Sequence, residues 1–258
     1  MKNSSDKPQL MKTPKVLRIW IWAQIWMHVL CGVCTLSFIV PFLNRESKDK
    51  KIQEWSKRLL DIFNIELEVQ DAMLLSNTPH LIASNHISWL DIHVINAFKP
   101  IRFVAKSEVA SWPIFGWMAT QLGTVFIRRD SSRHARLVVA QMADVLKTQS
   151  ICIFPEGTST IGSTVLPFKP NLFESAIAAQ APVCPIAIQY ISKITGVRSE
   201  SPAFVGDMGL LGSMSKVIQD RSLLAKITIL TPCFPGSSSQ LDRKELANAC
   251  HESIAKTL

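Results

Sequence analysis

The sequence predicts an α/β fold, a mixed and largely buried β-sheet flanked by helices, with an N-terminal membrane-associated helical segment. Three observations lead there. Short apolar runs bounded by turn residues recur between stretches with helical spacing, the pattern of strands alternating with helices. Hydrophobic residues make up 47% of the 258 residues and charged residues only 19%, which excludes a disordered chain. The formal net charge is +8, and a chain both basic and apolar suits a lipid surface better than nucleic acid. No Arg/Lys–aromatic interleaving or nucleic-acid-binding motif accompanies the charge, so no nucleic-acid partner is expected.

Lys2, Lys7, Lys12, Lys15 and Arg18 precede a run from Ile19 to Phe42 without a formal charge. As a helix this run reaches roughly 36 Å, enough to cross hydrocarbon. Trp20, Trp22 and Trp26 cluster near its start, where amphipathic rings sit at headgroup level. Basic residues follow at Arg45, Lys48, Lys50 and Lys51, so charge bias gives no orientation. A span and a helix lying in one leaflet therefore both stay open. We divide the chain into a basic N-terminus with hydrophobic anchor, 1–50, and a catalytic-sized domain, 51–258.

Past the anchor, Ile52–Phe63 reads as an amphipathic helix with Trp55, Leu59, Leu60 and Phe63 on one side. Strands are predicted at 81–83, 102–105, 124–128, 151–154, 183–189 and 226–230. Helices are predicted at about 89–98, 111–121, 133–147, 171–179 and 242–255. Asp242 and Glu245 form the capping start of the last. The 6 cysteines include one CxxC, Cys31 and Cys34, inside the apolar run. Without a second pair or an H-E-x-x-H motif no metal site is predicted, and the cysteines read as buried free thiols in a reducing compartment.

The chemistry-bearing residues sit at strand ends. In Ser84-Asn85-His86-Ile87-Ser88-Trp89-Leu90-Asp91, one continuous helix would leave His86 and Asp91 roughly 140° apart. They meet if His86 lies in the turn and the helix begins near Ser88. Ser88 and Asp91 then have capping-box spacing, and the carboxylate points back to the entry. A carboxylate there holds one imidazole nitrogen and readies the other as a base. The plainer alternative is a helix cap beside an ordinary turn histidine. Gly123–Arg129 ends a strand in Arg128 and Arg129, and Lys106 ends another; such cations suit phosphate or carboxylate, although an isolated Arg-Arg also reads as a solvated turn. Phe154-Pro155-Glu156-Gly157-Thr158 is a tight turn presenting a carboxylate and backbone N–H groups. Ala181-Pro182-Val183-Cys184-Pro185-Ile186 shapes an apolar wall.

Together NHISWLD, GTVFIRR, FPEGT and APVCPIA, in this order, resemble the four blocks of the glycerolipid (1-acyl-sn-glycerol-3-phosphate, or lysophospholipid) acyltransferase family. The resemblance implies His86 and Asp91 as the catalytic pair. It implies a substrate-binding set of Lys106, Arg128, Arg129, Glu156, Gly157 and Thr158, with Arg129 on the acceptor's phosphate. It implies no cofactor, but acyl-CoA or acyl carrier protein as co-substrate. The place implied is a membrane, with the site on the cytoplasmic face, in the bacterial inner membrane. The implied reaction is acyl transfer from a thioester to the sn-2 hydroxyl of 1-acyl-glycerol-3-phosphate, forming phosphatidic acid. His86 would take the hydroxyl proton, and donors around Gly157 would face the oxyanion.

The pattern departs from the family at one point. Phosphatidic acid-forming members usually read FPEGTR, and here the arginine position is Ser159. Lyso-ornithine lipid is therefore an alternative acceptor, since its head group carries no phosphate. A hydrolase using the same pair on water, or a membrane-binding protein without catalysis, are the other readings. No G-x-S-x-G nucleophile elbow is present.

Overall fold

The computed structural model describes residues 13–128, 132–235 and 242–258. Its strands are β1 (Glu66–Gln70), β2 (Leu81–Ser84), β3 (Arg102–Lys106), β4 (Val125–Ile127), β5 (Ile151–Ile153), β6 (Val183–Ser192) and β7 (Leu223–Ile229). Its helices are α1 (Lys15–Phe38), α2 (Arg45–Phe63), α3 (Leu90–Phe98), α4 (Phe115–Gln121), α5 (Ser132–Leu146), α6 (Glu174–Ala179), α7 (Leu210–Gln219) and α8 (Arg243–Ala255). The strands form one seven-stranded sheet in the order β1-β7-β6-β2-β5-β3-β4. From β6 to β4 all neighbours are parallel, whereas β7 runs antiparallel to β6 and carries β1 with it. The predicted mixed, buried sheet is the observed one.

Strand alternation sends successive side chains to opposite faces, and the core divides accordingly. Ile82 and Cys152 join a cluster with Ile21 and Ile25 of α1, Leu59 and Phe63 of α2, Val94 of α3 and Val217 of α7. Leu81, Ala83, Ile151 and Ile153 face the other way, against Val138 and Met142 of α5, Ala176 of α6 and Leu246 and Cys250 of α8. Removing one such fully buried Leu, Ile or Phe from water contributes about 1.5–3 kcal/mol. Helices thus cover both faces, and the strand ends are left for chemistry.

Helix α1 lies along the body of the protein. Ile21, Ile25, Val29, Gly32 and Leu36 form its buried stripe, and Thr13 Oγ1 donates to the Ile218 carbonyl at 3.1 Å. Close approach to α2 requires Gly32, because a Cβ there would sit 2.7 Å from Trp55 Nε1. Beside it the His28 ring stacks on Trp55 at 4.5 Å. Asn44 caps α2 through its side chain, so that helix begins before residue 50 and the boundary drawn there falls inside it. Cys31 and Cys34 are exposed, contrary to the expectation of burial, because they fall on the outward side of α1; Cys152, Cys184 and Cys250 are buried.

The sequence predicts neither β1 nor α7. The 111–121 helix is also shorter than expected, since Ile114 adopts φ 64° and the regular helix starts only at Phe115.

Packing of α3 under Trp55 and Trp89 creates a pH dependence. His93 rings lie 5.3 Å from Trp55 and 5.9 Å from Trp89, and its Nδ1 is sealed without a partner. Burial, with His28 nearby, pushes its pKa down from 6.5 to about 3. The unfolded chain therefore binds a proton below pH 6.5 that the folded chain refuses. This stability is full above pH 6.5 and is lost as pH falls toward 3, by about 1–2 kcal/mol at pH 5. Denaturant unfolding at pH 7 and pH 5 should show a loss of stability that is smaller in His93→Phe than in the wild type by about that amount. The remainder comes from His28 and His80, whose pKa values burial also lowers.

Candidate active site

Parallel β2, β3, β4 and β5 end on one edge of the sheet, and each delivers a predicted residue there. His86 follows β2, Lys106 ends β3, Arg128 follows β4 and Glu156 follows β5. Ligands of parallel sheets gather at this carboxyl edge.

His86 Nδ1 and Asp91 Oδ2 are 2.8 Å apart, with side-chain exposures of 22% and 0%. As expected, the histidine sits in the turn and the carboxylate reaches back from the first turn of α3. The same Oδ2 accepts the backbone N–H groups of Ile87 at 2.8 Å and Ser88 at 2.9 Å. Asp91 Oδ1 accepts the Tyr190 hydroxyl at 2.8 Å. Burial and the Asp91 carboxylate push the Tyr190 pKa well up, so the phenol remains a donor. With four donors the buried carboxylate is fully satisfied. An acceptor-only carboxylate facing Nδ1 fixes that nitrogen as the N–H and leaves Nε2 to take a proton. The ring is further held by stacking on Phe154 at 4.1 Å and 16°.

Asn85 explains why the turn keeps its shape. Its side chain donates to the Ile188 carbonyl at 3.0 Å and accepts the Ile188 N–H at 2.8 Å, pinning the turn to β6. Phe204 N–H donates to the Ile87 carbonyl at 2.9 Å, and Thr160 N–H to the His86 carbonyl at 2.8 Å.

Glu156, expected to contact substrate, is tied to backbone in this structure. It is 3% exposed; Oε1 accepts the His86 N–H at 2.7 Å and Oε2 the Leu166 N–H at 2.8 Å. Burial raises its pKa, while the two N–H groups and His86 oppose the rise. With both oxygens committed to backbone, Glu156 positions the turn that carries His86. Gly157 adopts φ 76°, and its N–H donates to the Phe154 carbonyl at 3.0 Å. That donor closes the turn. The N–H groups of Thr158 and Ser159 make no backbone hydrogen bond among the described residues.

Lys106, Arg128 and Thr158 are exposed on this edge. Arg129 lies outside the described residues, so only Arg128 of the predicted arginine pair is placed. Ser159 donates its hydroxyl to the Phe204 carbonyl and tethers the loop after β6. That loop brings a cation the sequence reading missed, Arg198, whose Nη1 donates to the Gly162 carbonyl at 2.8 Å.

The sequence and the fold have counterparts among known proteins. The acyltransferase family profile matches residues 66–189. A 1-acyl-sn-glycerol-3-phosphate acyltransferase of Neisseria meningitidis serogroup B is 34% identical over 210 residues, 81% of each chain. A lyso-ornithine lipid O-acyltransferase of Pseudomonas aeruginosa is 35% identical over 205 residues, 79% of this chain and 76% of that one. The crystal structure of the 1-acyl-sn-glycerophosphate acyltransferase PlsC from Thermotoga maritima shares the fold, with a TM-score of 0.67 at 20% identity over 94% of this chain and 93% of that one. Two long relatives above 30% identity and a shared architecture leave one conclusion: this chain belongs to the acyltransferase family.

Proposed function

We propose that the protein transfers a fatty acyl group from a thioester to the sn-2 hydroxyl of 1-acyl-glycerol-3-phosphate, forming phosphatidic acid. The observation that carries the reading is the His86–Asp91 pair, its carboxylate fixed by four donors and Nε2 left open. Nε2 takes the proton of the lysolipid hydroxyl as that oxygen attacks the thioester carbonyl, and the same proton then goes to the departing thiolate. The N–H groups of Thr158 and Ser159 are the candidate donors for the carbonyl oxygen in place of Gly157. Lys106 and Arg128 supply a cationic edge for the acceptor's phosphate, with Arg129 assigned to that phosphate by the family resemblance. Acyl-CoA or acyl carrier protein serves as donor, both being acidic enough for that edge.

A second acceptor has its own support. Ser159 occupies the position where phosphatidic acid-forming members usually carry arginine, and its hydroxyl donates to the Phe204 carbonyl. One relative named for each acceptor matches this chain at similar identity, 34% and 35%. Supplying membranes with lysophosphatidic acid and lyso-ornithine lipid in parallel decides between them. Turnover of the phosphate-bearing lysolipid is expected, and exclusive use of lyso-ornithine lipid would replace the acceptor named above.

The reading also places α1 in the plane of one leaflet. A spanning helix meets lipid all round for about 30 Å, but α1 is packed on the protein from Ile21 to Leu36. Its free side carries Trp20, Trp26, Leu30 and Phe38, an apolar surface for acyl chains. Lys15→Cys and Asn44→Cys, each made in a chain whose exposed Cys31 and Cys34 are replaced by serine, check this in right-side-out and inverted vesicles. Both should react with an impermeant thiol reagent from the same side; reaction from opposite sides means a span.

A further inference from the structure

A second cationic cavity lies on the opposite edge of the sheet from His86. It occupies about 510 Å³, within the size range of ligand sites. The segments before β2, β3, β4 and β5 floor it, and the start of α2 closes it. Arg45, Lys48, Lys99 and Arg102 line it, against the single carboxylate Asp49. Two of these cations are already engaged. Arg45 Nη1 donates to the Thr148 carbonyl at 2.8 Å and Lys99 Nζ to the Ser76 carbonyl at 3.0 Å. Arg45 Nε stands 3.8 Å from Asp49. Lys48, Lys99 and Arg102 are half-buried, and none forms an ion pair among the described residues. The Arg102 guanidinium lies over Gly123, where a Cβ would come within 3.1 Å of Cζ. Glycine at φ 75° thus leaves the arginine its place. Four cations face one carboxylate, Asp49, which lies in the field of Arg45 and Arg102. The excess of partly desolvated positive charge favours an incoming anion, and phosphate oxygens match both the guanidinium fork and the ammonium groups.

We propose that this cavity is a phosphate-binding site, separate from the acyl-transfer edge, and that it takes the headgroup phosphate of an anionic membrane lipid. The lipid source is favoured by the cavity's neighbour. Phe38, Ile39 and Phe42, at 74%, 47% and 86% exposure, crowd the α1–α2 corner next to Val40, which lines the cavity. A corner seated in acyl chains leaves Arg45 and Lys48 at the depth of the lipid phosphates.

The test compares vesicles of pure phosphatidylcholine with the same vesicles doped with phosphatidylglycerol, using the full chain and sedimentation as readout. Lys48→Gln/Arg102→Gln removes two charges from the cavity. Lys50→Gln/Lys57→Gln removes two from the exposed side of the same helix. The wild type should bind doped vesicles more tightly, and the cavity pair should lose about tenfold more of that gain than the surface pair. Lys48→Arg/Arg102→Lys should restore most of it, and thermal melting identifies a variant that has simply unfolded. Equal losses from the two pairs mean a diffuse charge effect and overturn the site. Calorimetric titration with inorganic phosphate separates the sources. Saturable binding that only the cavity pair abolishes assigns the free anion, and its absence beside the vesicle difference assigns the lipid.

Discussion

Replacement of His86 by alanine is expected to lower acyl transfer by about 10²–10⁴-fold, the usual worth of a positioned general base. The loss should fall on kcat, with the KM for lysolipid little changed, because the ring has no other polar partner than Asp91 among the described residues. Phe154 loses a stacked neighbour, but the backbone of residue 86 stays held by Glu156 and Thr160. The variant should therefore fold and still sediment with membranes. Full turnover in it would remove the proposed base. Thioester hydrolysis supplies a second discrimination. A hydrolase using the same pair would consume thioester quickly without lysolipid, whereas the proposed transferase needs the acceptor hydroxyl to fill the place opposite Nε2.

The contrast between Glu156 and Asp91 shows what sequence spacing carries and what it leaves out. Asp91 sits where a capping carboxylate belongs, three residues after Ser88, and its turn back toward His86 follows from local helix geometry alone. Glu156 belongs to a turn whose partners, the N–H groups of His86 and Leu166, lie 70 and 10 residues away. Nothing in FPEGT tells a carboxylate aimed at backbone from one aimed at substrate. Tyr190 and Arg198 were invisible for the same reason. One sits in an apolar strand run and meets a carboxylate 99 residues away; the other lies on a loop whose path depends on Ser159 and Phe204.

The same division runs through the fold. The apolar runs of β2, β5 and β6 announced themselves because central parallel strands are buried on both faces. Edge strand β1 reads ELEVQ, too polar and too short for an apolar run. Helix α7 begins after Gly209 and contains Gly212, Ser213 and Ser215, which lower helix propensity; packing of Met214, Val217 and Ile218 in the core compensates. The lie of α1 along the body was likewise set by tertiary contacts, since its stripe is apolar on an apolar helix.

Asp91→Asn gives the sharper test of the pair, because it removes the charge and keeps the shape. An asparagine can place its oxygen where Oδ2 now accepts His86 Nδ1, Ile87 N–H and Ser88 N–H. Its amide nitrogen then faces the Tyr190 hydroxyl, which can reverse and accept. The reversed amide would set two hydrogens against three donors and is excluded by that count. Fold and tautomer should thus survive, and membrane sedimentation should be unchanged. Lost is the negative charge that stabilises the imidazolium formed when Nε2 takes the proton, so kcat is expected to fall by about 10²–10³-fold. Tyr190→Phe touches the same carboxylate through its other oxygen and keeps the charge. It leaves Oδ1 short of one buried donor, which costs about 1–3 kcal/mol of stability, and it should lower kcat by roughly tenfold. Equal losses from Asp91→Asn and Tyr190→Phe would mean that Asp91 works by holding the turn. A loss at least tenfold greater in Asp91→Asn means that its charge acts on the proton.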